Sequence, residues 1–223
     1  MPEKKLRILI ETAPKKTFAS ALDWPGCSRS GKTESDAIDS LLAYADRYRV
    51  VTDLAGLTFP NSFDADIVDR LPGDMTTEFG VPSLIHSIER ESVDESEIDR
   101  QSAILSASWK FFGNVRGVVS AELQKGPRGG GRDRDRIVDH VIQADRTYAR
   151  HIDVKSPTFD SFDEVAVDVH HQAVLSAIPE LRDGLPSSEK GWPVRYAIRR
   201  MAWHILDHAW EMQDKDLTSK ESK

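Results

Sequence analysis

The feature that most constrains this chain is a change of hydrophobic period near residue 80. Before it, Leu6, Ile8 and Ile10 alternate with Arg7, Leu9 and Glu11, which is strand spacing. Pro14-Lys15-Lys16 breaks the run, and Phe18, Ala19, Ala21, Leu22 and Trp24 form a second β-rich stretch. The short link between them favours an antiparallel hairpin. Thr33, with Asp36 three residues on, reads as a helix N-cap followed by Ala37, Ile38, Leu41, Leu42 and Ala45 at helical spacing. Phe63, Ala65 and Ile67 alternate with Asp64 and Asp66 as a third strand ending at Leu71-Pro72-Gly73. Residues 1–80 are therefore expected to form a small ββαβ domain with one helix on one sheet face.

After Pro82 the strand pattern stops. The acidic, Ser-rich residues around 92–99 suggest a linker over 81–96 or a helix start. Four helices are expected at about 97–125, 134–151, 161–180 and 192–215. They are separated by Gly126-Pro127-Arg128-Gly129-Gly130-Gly131, Lys155-Ser156-Pro157 and Gly184-Leu185-Pro186-Ser187-Ser188. The prediction is an α+β chain, with the ββαβ domain followed by an antiparallel four-helix bundle over 97–216 and a disordered tail at 217–223.

Composition narrows the function classes. A length of 223 residues allows two domains. No apolar run approaches the roughly 18 residues of a membrane span, and the first residues lack the apolar core of a signal peptide. With the single cysteine, Cys27, these features predict a cytoplasmic protein without an internal disulfide. The net charge of −7 argues against broad binding to nucleic acid or anionic lipid.

Gly26-Cys27-Ser28-Arg29-Ser30-Gly31-Lys32-Thr33 fits the phosphate-loop pattern at every fixed position. Its surroundings do not. The strand before it belongs to a hairpin, and no later apolar strand ends in an Asp that would hold magnesium. The turn-and-cap reading is preferred. The stretch Leu22-Asp23-Trp24-Pro25-Gly26-Cys27, then Gly31-Lys32-Thr33-Glu34 and Ala37, resembles the HicB-like antitoxin domain over residues 6 to 50. That resemblance implies a small partner-binding module.

The last helix carries His204 and His208, four apart and so on one helix face, a spacing that lets two imidazoles share a metal. Both fall on one shoulder of the core stripe Ile198, Met201, Ala202, Ile205, Ala209 and Met212, followed by Glu211. In the second helix His140 lies on a shoulder of the stripe Ile137, Val138, Val141, Tyr148 and Ile152. Three neutral imidazoles with an open fourth position describe a catalytic-type divalent site, zinc first, with nickel, manganese or iron as alternatives. Glu211 is read as a base or an orienting group, and Asp139 and Asp207 as partners of the histidines. His86, His170 and His171 are read as surface or loop residues.

His140 within Ile137-Val138-Asp139-His140-Val141, together with His204 and His208, resembles the DinB/YfiT-like superfamily over residues 97 to 215. The resemblance implies a divalent metal and metal-dependent transfer using a low-molecular-weight thiol, with an electrophilic small molecule as the second substrate. The alternative is a non-enzymatic, toxin–antitoxin-like regulatory protein with a structural metal. Arg128 and Arg132, in a glycine-rich loop, are candidate anion-binding residues for a carboxylate on the thiol. Trp203 and Trp210 sit opposite the core stripe, so this helix is expected to be contacted on a second face, by the N-terminal domain, by a second copy in a homodimer or by a substrate in a pocket.

Overall fold

The computed structural model describes residues 5–60, 65–185 and 188–218. Strands β1 (Leu6–Thr12), β2 (Thr17–Ala21) and β3 (Ser28–Gly31) are followed by helices α1 (Glu34–Ala43) and α2 (Ala45–Leu54), then β4 (Ala65–Pro72) and the one-turn α3 (Met75–Glu78). The four-stranded sheet runs β3-β2-β1-β4, antiparallel except for the parallel β1–β4 pair. The α+β class is as expected, but the element order is not ββαβ. Ser28–Gly31 is a strand, and two helices stand where one was expected. Of the third-strand residues, Phe63 and Asp64 lie outside the described residues.

The phosphate-loop match has a structural explanation. Its centre is extended and paired with β2, Phe18 opposite Ser30 and Ala19 opposite Arg29, so its amides cannot curl round a phosphate. Gly26 has φ +88°, and a Cβ there would stand 2.8 Å from Leu206. Gly31 packs so closely on the start of α1 that a Cβ would lie 2.4 Å from the Ala37 nitrogen. Lys32 is exposed, and Thr33 caps α1 in a reciprocal pair with Asp36. Cys27 is buried, and desolvation pushes its thiol up to about 12, which makes it an inert packing residue.

The longer helices are α4 (Glu95–Val118), α5 (Arg134–Ala149), α6 (Glu164–Ala177) and α7 (Val194–Asp214). α7 packs along α4 and α5, α5 packs on α6, and α2 packs on α4. α4 begins two residues early because Asp94 caps it. It stops at Val118, where Val119 turns extended, instead of reaching 125. Asp216 and Leu217, where the tail was expected to begin, are hydrogen-bonded to the segment after α4. Asp216 accepts from the Ser120 backbone and pairs with Leu123, and Leu217 donates to the Ser120 hydroxyl; 219–223 lie outside the described residues.

Segment 81–96, expected as a linker, is held on both sides. Ser83 and Leu84 donate backbone N–H groups to the buried Glu11 of β1, and Glu89 forms a buried ion pair with Arg199 of α7 (2.6 Å). The buried apolar residues form one continuous cluster that includes Ile8, Leu41, Ile104, Val138 and Leu206. α7 is therefore buried on nearly every side. Its second face meets the N-terminal elements, with Trp203 edge-on to Phe18 and Trp210 edge-on to Tyr44. Among the described residues no helix is long and apolar enough to cross a membrane.

Candidate metal centre

Two helices supply the centre. Packing of the α5 stripe (Ile137, Val138, Val141) against the α7 stripe (Ile198, Met201, Ile205) turns the shoulder of each helix toward the other. His140 from α5 thereby meets His204 and His208 from α7. One ligand atom from each lies within 4.8 Å of the others, close enough together to hold one metal ion. The Nε2 atoms of His140 and His204 are 3.2 Å apart. Zinc–nitrogen bonds of about 2.0–2.1 Å at tetrahedral angles place two donors about 3.3 Å apart. The donor set and spacing fit a borderline ion such as zinc.

Burial, then the nearby His208, lowers the His140 pKa, and the same two causes push that of His204 well below 6.5. Both imidazoles are therefore neutral at pH 7, the form that ligates. His140 and His208 are half-buried, as a shoulder position implies, whereas His204 is buried.

Glu211 lies against His208. It accepts a 2.7 Å hydrogen bond from His208 Nδ1–H, which fixes the tautomer and leaves Nε2 as the free donor atom. That bond, opposed by partial burial and reinforced by Lys215 at 2.6 Å, pulls the Glu211 pKa down to about 2. Asp207 does not serve the histidines; it turns toward the sheet and pairs with Arg29 of β3 at 2.9 Å. Asp139 likewise accepts from the Ser161 hydroxyl (2.7 Å). Arg132 lines an open cavity of about 620 Å³ with His140, Arg136, Asp139 and Phe162. Arg128 is exposed and is not among the residues lining that cavity.

Arg200 was not singled out from the sequence, and Tyr148 was read only as a core-stripe residue. Arg200, one turn before His204, is buried and donates to the Tyr148 hydroxyl at 2.9 Å, and Tyr148 stands edge-on to the His204 ring. No carboxylate pairs with the Arg200 guanidinium, and its Nη1 has no hydrogen-bond partner among the described residues. Its charge helps lower the His204 pKa, after burial and His208. A positive charge held beside His204 favours an anionic occupant. The signal was legible: Arg200, His204 and His208 are spaced by four on one face.

No family model, curated protein or solved structure matches the chain.

His170 and His171 are not surface or loop residues, because α6 turns them inward. His170 is buried, and its Nδ1 lies 2.7 Å from the Ser156 hydroxyl. His171 stacks on Trp109 at 3.9 Å. His86 does lie in a connecting segment, where it caps the turn Ser87–Arg90. Desolvation lowers the His171 pKa from 6.5 to about 4. The unfolded chain thus takes up this proton first as pH falls, so stability present above pH 6.5 is lost on the way to pH 4. The difference corresponds to roughly 3 kcal/mol. Urea unfolding of His171→Gln across that window should show a flatter pH dependence than the native chain; an unchanged slope would contradict the assignment.

Proposed function

We propose that the chain is a divalent-metal protein of the DinB/YfiT-like kind, its four longer helices forming that superfamily's bundle, and that it acts as a metal-dependent transferase with a low-molecular-weight thiol. The observation that carries this reading is the convergence of His140, His204 and His208 within 4.8 Å, from helices that meet beside an open cavity. A divalent ion held there would lower the pKa of a bound thiol toward neutrality.

The chain's own residues have separate tasks. Glu211 orients His208, and Arg200 offers a buried positive charge that favours a thiolate over a thiol. Arg132 and Arg136 line the adjoining cavity, where a substrate carboxylate finds planar donors. Phe162 gives the electrophile an apolar wall.

The test is turnover of a model electrophile, 1-chloro-2,4-dinitrobenzene, with a panel of small thiols. Turnover should fall to background on chelation and in His140→Ala. A rate that survives both would remove the enzymatic reading. The second reading, a structural ion in a partner-binding protein with a HicB-like N-terminal part, draws on the burial of His204 and on α7 being packed on nearly every side. It expects metal-dependent stability with no turnover for any thiol.

A further inference from the structure

Away from the three histidines, α4 and α6 part above α5 and leave a groove of about 420 Å³, within the usual range of small-molecule sites. Its floor is the buried, apolar face of α5: Val138, Val141 and Ile142. Its sides carry exposed polar residues, Lys110 on α4 and Glu164 and Asp168 on α6. This is a different face of α5 from the one that bears His140.

One group on the wall is unaccounted for. Asp145 is 1% exposed, and its Oδ2 accepts from the indole N–H of Trp109 at 3.1 Å. Its Oδ1 has no hydrogen-bond partner among the described residues. The Nε2 atoms of His170 and His171 stand 3.5 and 3.7 Å from Oδ2, and neither has a hydrogen-bond partner. No arginine or lysine among the described residues fills the gap. Arg146 turns away to Gln143 and the Pro157 carbonyl, Arg116 lies over the Phe162 ring, and Lys110 is on the exposed side. A buried carboxylate oxygen without a donor is costly, and buried polar groups are rarely left so.

We propose that this groove binds a small amphipathic amine, its ammonium donating to Asp145 Oδ1 and its apolar body lying on Val138, Val141 and Leu175. An ammonium brings the donor that Oδ1 lacks, while the floor rewards a hydrocarbon body and not a second polar group. The assignment is independent of the metal centre, so it is tested with chelator present.

The probes are 2-phenylethylamine and its uncharged analogue 2-phenylethanol, titrated calorimetrically into the full chain. The amine should bind at least tenfold more tightly than the alcohol, and Asp145→Asn should erase that preference. Gly113, on the groove wall, is helical and exposed, and a Cβ there meets nothing within 4 Å. Gly113→Leu should therefore fold normally and block the amine by filling the groove. Equal affinity for the two probes, no binding of the amine, or amine binding unaltered by Gly113→Leu would each overturn the proposal. The probe comparison and Gly113→Leu decide it even where Asp145→Asn does not fold.

Discussion

Glu89→Ala is expected to lower stability by about 3–5 kcal/mol, because it leaves the Arg199 guanidinium buried without its counter-charge. The pair is bidentate: Arg199 Nε donates to Glu89 at 2.6 Å, and Nη2 reaches both Glu89 Oε2 and the Leu84 carbonyl. Both side chains are about 2–3% exposed, so water cannot replace the lost partner. Burial lowers the Arg199 pKa, but the attraction and hydrogen bonding of Glu89 outweigh it and leave it raised. Glu89 also accepts from the His86 backbone N–H, so its loss removes that cap from the turn Ser87–Arg90. Removing both charges should cost less than removing one. Chemical denaturation of Glu89→Ala, Arg199→Met and Glu89→Met/Arg199→Met measures this directly, and a double variant less stable than both singles would contradict it.

His204→Ala is expected to lower metal affinity by well over about 100-fold. Losing only an orienting partner of a ligand typically costs about 10–100-fold, and His204 is proposed as a ligand itself. It is also the most enclosed of the three and sits 3.2 Å from His140, so no other side chain can take its place without repacking α7. The loss should appear in a competition titration against a chromogenic chelator. Because Ala leaves a cavity, the metal-free variant should also be somewhat less stable than the metal-free native chain. An affinity within tenfold of native would place the ion elsewhere.

Periodicity and punctuation made much of this structure legible. The two strands of the hairpin, the Thr33 cap and the four longer helices are all marked by alternation, capping residues or Gly and Pro. β3 was hidden because Ser28-Arg29-Ser30-Gly31 has no apolar alternation; its pairing with β2 is a long-range fact. The division of α1 from α2 at Tyr44 carries neither Gly nor Pro. The His140, His204 and His208 grouping could be read because i, i+4 spacing fixes one helix face and the core stripes orient two helices toward each other. The roles of Asp207, His170 and His171 could not. Each depends on what lies opposite: Arg29 on β3 for the first, and Asp145 and Trp109 for the other two. A local pattern says that a side chain points inward or outward, but not what it will meet.

The central claim is that His140, His204 and His208 hold one divalent ion. Elemental analysis of the purified full chain, set against His140→Ala and His204→Ala prepared in parallel, tests it most directly. The account predicts close to one equivalent of a divalent transition metal per native chain, removed by chelation with a drop in melting temperature, and little or none in either variant. A native chain that carries no metal after incubation with zinc, nickel, manganese or iron, and whose melting temperature is indifferent to chelator, would contradict it.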